Sequence, residues 1–188
     1  MAVPSTMLPL GTTAPDFSLP DPAGALHSPD HLVGEKGLLV VFACNHCPYV
    51  KHLARELGLL TQRWSSRGLG IAAINSNDAD AYPDDAPPLM VDFARVHGWD
   101  FPYLVDESQG VAAAYSAACT PDFFLFDADL SLVYRGQFDG SRPRSDTPVT
   151  GESLAAAVAA LMSGGPIPSD QAPSMGCSIK WRDGAAPH

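Results

Sequence analysis

Four consecutive residues, Cys44-Asn45-His46-Cys47, place two thiols three positions apart with an imidazole between them. Cysteines at that spacing can close a disulfide across one helical turn, and a C-x-x-C at a strand-to-helix junction reads as a redox motif. Thiol–disulfide exchange needs a thiolate as the attacking group. Helix N-termini favour that anion through unpaired N–H groups and a positive dipole end, and cysteines so placed ionise at roughly 3.5–7.5 rather than near 8.5. A charged imidazole at His46 favours the thiolate further, which stabilises the reduced pair and makes it a stronger oxidant. Two more thiols, Cys119 and Cys177, are single and distant in sequence. They are candidate accessory redox groups; the bland alternatives are a buried apolar filler for Cys119 and an idle thiol in an exposed tail for Cys177.

The elements that must hold this motif are legible. Residues 38–43 form a continuous apolar run, the pattern of a buried strand. Pro48 suits the first turn of a helix, and Leu53, Leu57, Leu60 and Trp64 lie on one face of a helix expected to run to 65. Further strands are expected at 69–75, 101–105, 123–127 and 131–137, the last two as a hairpin turning at Ala128-Asp129. Helices are expected at 89–97, 109–117 and 152–162, the last capped by Thr150. Before the motif, the turn-rich segment Asp21-Pro22-Ala23-Gly24 points to a short N-terminal hairpin. This order gives an α/β chain with a mixed central sheet and helices on both faces. One domain is expected over 1–188, with an N-terminal extension at 1–37 and a C-terminal tail at 164–188.

Composition narrows the class. A chain of 188 residues with 46% apolar content can bury a real core. Its formal charge of −10 makes nucleic acid a poor partner. The longest apolar run is too short to span a bilayer, and the first eleven residues carry no Lys or Arg and do not look like a secretory signal. The expectation is a soluble, cytoplasmic protein with no membrane contact. Four cysteines in a reducing compartment point to catalysis, redox sensing or metal binding rather than a structural disulfide framework.

Three segments carry a resemblance. Phe42-Ala43-Cys44-Asn45-His46-Cys47-Pro48 resembles the active-site segment of the thioredoxin fold. Thr120-Pro121-Asp122-Phe123-Phe124-Leu125-Phe126-Asp127 resembles that fold's cis-proline segment and the strand after it. Ala14-Pro15-Asp16-Phe17-Ser18-Leu19 resembles the opening of the peroxiredoxin and membrane-anchored-thioredoxin branch. With Met175-Gly176-Cys177-Ser178-Ile179-Lys180-Trp181 at the other end, the chain is similar over nearly its whole length to the peroxiredoxin-like, AhpC/TSA-related thioredoxin family. That resemblance implies a thioredoxin-like fold. Cys44 is then the nucleophile and Cys47 the resolving thiol, while His46 tunes the pair. Pro121 is a cis proline that faces them and leaves the preceding backbone edge free for a substrate chain. Partners are then a disulfide- or thiol-bearing substrate and an external thiol reductant, with no organic cofactor. The pair is expected to be more oxidising than thioredoxin's roughly −270 mV.

Two rival functions use the same residues. A peroxiredoxin-like thiol peroxidase needs Thr three before its reactive Cys, Pro seven before it, and a distant Arg; here Val41 and Gly37 stand at the first two places, and Cys119-Thr120-Pro121 stands where the Arg would be. A zinc-type site would draw on Cys44, Cys47, His46 or His52, and Cys119, without the second well-spaced pair that structural zinc usually shows. His52 and Lys51 lie in the first turns of the following helix and are candidates for tuning Cys44. The acidic segment Asp78 to Asp85 fits no calcium loop and reads as a solvated surface loop. Trp64, Trp99 and Trp181 read as packing aromatics.

Overall fold

Five apolar residues in a row at 38–42 have no polar face, so the strand they form must be covered on both sides. The computed structural model, which describes residues 2–186, meets that demand with a three-layer arrangement. In chain order its elements are β1 (Ala2–Pro4), β2 (Leu19–Pro20), β3 (Leu26–His27), α1 (Pro29–Leu32), β4 (Leu38–Phe42), α2 (Pro48–Ser65) and β5 (Gly70–Asn75). A 3-10 turn (Pro83–Asp85) follows, then α3 (Pro87–His97), β6 (Tyr103–Val105), α4 (Gly110–Ala114), β7 (Cys119–Thr120), β8 (Asp122–Phe126), β9 (Leu132–Gly136), α5 (Glu152–Ser163) and β10 (Met175–Ser178).

The main sheet has the order β6-β5-β4-β8-β9. Its first three strands are parallel, and β8 and β9 run antiparallel to their neighbours. Alternation sends Leu39 and Val41 to one face, under the apolar sides of α2 and α5, and Leu38, Val40 and Phe42 to the other, under α4 and the N-terminal segment. On α2 the buried set includes Val50, Leu53, Leu57, Leu60 and Trp64, the expected face. Each fully buried side chain of this size contributes about 1.5–3 kcal/mol, which fixes the helix against the sheet and its first turn beside the end of β4.

Two expectations need correction. Within the segment expected to be a C-terminal tail, Met175–Ser178 returns as β10 to form a second sheet of order β1-β10-β7. Its strands are short and come from the two ends of the chain and the middle, so no local periodicity announces them. The N-terminal hairpin expected around Asp21–Gly24 is present as the pair β2–β3; β1 belongs to the second sheet. Thr150 is not the cap of α5. Gly151 takes that place in a left-handed conformation (φ 66°), and the Asp139 carboxylate accepts the N–H groups of Thr150 at 2.8 Å and Gly151 at 2.7 Å. Among the described residues no helix is long and apolar enough to cross a membrane.

Candidate active site

The C-N-H-C segment fills the gap between β4 and α2. Cys44 follows the strand after one residue, and Cys47 is the N-cap of α2, with Pro48 in its first turn. Both cysteines are completely buried. One residue from elsewhere holds both sulfurs. The Thr120 hydroxyl lies 3.4 Å from Cys44 Sγ, and Cys47 Sγ donates to the Thr120 carbonyl at 3.1 Å. The peptide from Thr120 to Pro121 is cis, as the resemblance implied.

Asp85 is the residue that sequence reasoning missed. The acidic segment was expected to be a solvated loop, yet Asp85 is 1% exposed, and its side chain binds the motif. Oδ1 accepts the N–H of Asn45 at 2.8 Å and of His46 at 3.1 Å. Oδ2 lies 2.6 Å from His46 Nδ1 and accepts Asn77 Nδ2 at 2.8 Å. The Asp85 carbonyl in turn accepts Asn75 Nδ2 at 2.9 Å. A buried carboxylate must find partners, and this one finds them in the loop that carries the thiols. The clamp continues through Asn45, which donates to the Asp84 carbonyl at 3.0 Å and accepts the Tyr103 hydroxyl at 3.1 Å. His46 is therefore not a free loop side chain: Asp85 orients one nitrogen, and its ring stacks on Tyr82 with centroids 5.3 Å apart. The only hint in the sequence is Asn75-Ser76-Asn77, three polar residues closing an apolar strand.

Cys44 and Cys47 titrate as one unit. With the Cys44 S–H directed at Cys47, that bond draws Cys47 down to about 5 against the opposing effect of burial, helped by Thr120 and Cys177. The same bond, burial and the charge of Asp85 push Cys44 up, and the Thr120 hydroxyl works the other way. A charge on Cys44 would meet the Thr120 hydroxyl as donor, while the Cys47 thiol donates to the Thr120 carbonyl.

The other expected residues divide. Cys119 is fully buried with Sγ 3.5 Å from the Pro121 carbonyl, and burial first, then the charge of Asp122, pushes its thiol up. Cys177 lies on β10, opposite Thr120 and half-buried. The backbone edge ahead of Pro121, expected to be free, is therefore occupied by the chain's own strand. His52 does not reach Cys44; its Nε2 lies 3.0 Å from Ser141 Oγ, and Lys51 is exposed. Trp64 and Trp99 are buried packing residues.

Cys44, His46 and Asp85 form the one group of possible metal ligands among the described residues, with ligand atoms within 4.8 Å of one another. Both Asp85 oxygens already accept two N–H groups each, so an ion would have to break bonds that hold the loop. This is also a different set from the one expected: Asp85 stands in place of Cys47 and Cys119, and of the two histidines considered only His46 takes part, since His52 is turned to Ser141. Peroxide chemistry lacks its usual cluster too: Val41 is a buried strand residue, and the hydroxyl near Cys44 comes from Thr120 instead.

Comparisons with known proteins agree with this geometry. The profile of the AhpC/TSA family matches residues 10–135. The thiol-disulfide oxidoreductase ResA of Geobacillus kaustophilus is 30% identical over 123 residues, which is 65% of this chain and 66% of that relative. A crystal structure of an uncharacterised conserved protein from Geobacillus kaustophilus superposes with a TM-score of 0.94 at 50% identity, covering 97% of both chains. The peroxidoxin BcpB of Mycobacterium tuberculosis shares the thioredoxin-like fold at a TM-score of 0.58 and 19% identity, over 82% of this chain and 96% of that one.

Proposed function

This chain belongs to the AhpC/TSA family of thioredoxin-fold proteins, and on that premise we propose that it is a thiol–disulfide oxidoreductase working through Cys44 and Cys47. The observation that carries the reading is the joint hold of Thr120 on both sulfurs at the cis peptide. The name of the ResA relative supports the same class of reaction.

The chemistry follows thiolate exchange. The Cys44 thiolate attacks one sulfur of a substrate disulfide, that S–S bond breaks, and the departing sulfur leaves as a thiolate. Cys47 then attacks Cys44 Sγ, closes the Cys44–Cys47 disulfide and releases the second substrate thiol. Two electrons have passed from the cysteine pair to the substrate, and an external thiol reductant restores the pair. The same steps run backwards when the substrate is a dithiol. His46, held by Asp85, sets how readily Cys44 carries charge. Asp85 and Asn45 position the loop without touching substrate.

The test is a titration in glutathione buffers, with free thiols alkylated and disulfides mapped by mass spectrometry. A Cys44–Cys47 disulfide forming with a single midpoint is the expected result. Rapid peroxide turnover by the reduced protein, lost in Cys44→Ser and unaccompanied by that disulfide, would replace this reading with a thiol peroxidase.

A further inference from the structure

The strand edge ahead of the cis proline is filled from within. β10 pairs antiparallel with β7, placing Cys177 directly opposite Thr120 and Ser178 opposite Cys119. Thr120 is the residue that touches both active-site sulfurs. The approach is as close as a backbone allows: a Cβ on Gly176 would stand 2.0 Å from the Thr120 carbonyl oxygen, so only glycine fits there. Cys177 packs against the core cluster that contains Cys44 and Cys47, and Thr120, its partner across the strands, takes the Cys47 S–H on its carbonyl at 3.1 Å. Cys177 therefore adjoins the pair from the Cys47 side, and its side chain helps to lower the Cys47 thiol. Of these three only Cys177 has exposed surface; Cys44 and Cys47 have none.

We propose that Cys177 is a third redox thiol that exchanges with Cys44 for the disulfide to Cys47, in the position a bound substrate strand would take. The step builds on the Cys44–Cys47 dithiol reading. The Cys177 thiolate attacks Cys47 Sγ in the Cys44–Cys47 disulfide, the Cys47–Cys177 bond forms, and Cys44 leaves as a thiolate. The proton given up by Cys177 ends on Cys44, and no electrons enter or leave the protein. The oxidised pair then sits on β10 at a half-buried sulfur, where an external thiol reductant can attack it. Two reductant thiols give up two electrons, become one disulfide and return both cysteines to thiols. Burial raises the Cys177 thiol to about 11, and the nearby Lys180 ammonium opposes that rise, so Cys177 attacks slowly unless it is poised against Cys47. Cys119 is an internal control: it is buried and bonded to the Pro121 carbonyl.

The full chain carrying Cys44→Ser, reduced and then exposed to oxidised glutathione, decides the matter. The first exchange puts glutathione on Cys47, and Cys177 should displace it. Alkylation and peptide mapping should then show the loss of both Cys47 and Cys177 as free thiols, joined to each other, with Cys119 still alkylated. A persistent glutathione adduct on Cys47 with Cys177 fully alkylated overturns the proposal, and so does pairing of Cys177 with Cys119. The wild type gives a second reading that does not depend on the variant's folding. Across the glutathione titration a Cys47–Cys177 species should accompany Cys44–Cys47 and vanish in Cys177→Ser; recovery of Cys177 as a free thiol at every potential overturns the proposal. Absence of Cys44–Cys47 in the wild type counts instead against the dithiol reading, and the Cys44→Ser arm still reports on Cys177.

Discussion

Replacing Asp122 by Asn should remove a large part of the stability the protein loses as pH rises from about 5 to about 8. Asp122 directly follows the cis proline and is completely buried. Its Oδ2 accepts Ser5 Oγ at 3.1 Å, and its Oδ1 has no hydrogen-bond partner among the described residues. Burial disfavours the charged form, and, only partly offset by the Ser5 hydroxyl, it raises this carboxyl from an ordinary 3.8 to about 7. Because the folded pKa lies above the unfolded one, the folded chain holds a proton that the unfolded chain has already released. Stability is therefore full below the unfolded value and falls as pH rises through the folded one. Each unit of separation corresponds to about 1.36 kcal/mol, so the whole shift amounts to about 4 kcal/mol.

About two of those units fall between about pH 5 and about pH 8, where other carboxylates scarcely titrate; that interval carries about 2.7 kcal/mol. Urea unfolding of the reduced proteins at both ends of the interval should show the wild type losing about 2.7 kcal/mol more than Asp122→Asn on going to the higher pH. The comparison within each protein cancels any fixed cost of fitting the amide. Parallel pH dependences in the two proteins would refute the assignment of a neutral, buried carboxyl to Asp122.

Three further outcomes follow from the site. Asp85→Ala leaves the N–H groups of Asn45 and His46 without their acceptor and should cost about 3–5 kcal/mol in urea unfolding; Leu26→Ala, at an exposed side chain, should cost little by the same measurement. The wild-type potential in glutathione buffers should lie above roughly −270 mV, and His46→Ala, which removes the imidazole paired with Asp85 beside Cys44, should lower it by about 30 mV for each unit by which the thiol pKa rises. Cys47→Ser should trap glutathione on Cys44 as a stable adduct seen by intact mass, because the resolving thiol is gone.

Features encoded by neighbours in sequence were legible, and those encoded by chain crossings were not. The apolar run at 38–42 and the spacing of Leu53, Leu57, Leu60 and Trp64 named β4 and α2, and with them the place of the two thiols. The Thr120-Pro121 segment resembled a known motif, and its peptide is cis. Asp85 was invisible because its partners, Asn45 and His46, lie about forty residues away and its acidic neighbours are solvated. A carboxylate among Asp78, Asp80 and Asp84 carries no mark of being the buried one. The second sheet was invisible for the same reason: β1, β7 and β10 are two to four residues long and are joined only by pairing across the whole chain.

That second sheet changes what the C-x-x-C motif means. In an open thioredoxin-like surface a dithiol meets whatever strand binds beside the cis proline. Here the chain supplies that strand itself, and it supplies a cysteine at the position opposite Thr120. On the other side, His46 and Tyr82 stack over the loop, and Lys180, just beyond β10, lies 5.9 Å above the same Tyr82 ring. Arg182 continues the connection, with its guanidinium 3.2 Å from Asp80 and 3.5 Å from Asp78. The C-terminal segment thus touches both covers of the buried sulfurs, the strand edge at Thr120 and the acidic loop at Tyr82. The surface ion pairs of Arg182 hold weakly in water, but neither cover rests on them alone: β10 is held by main-chain pairing with two strands, and the acidic loop by the Asp85 clamp and by the Asp78 N–H donating to the Lys180 carbonyl at 2.9 Å.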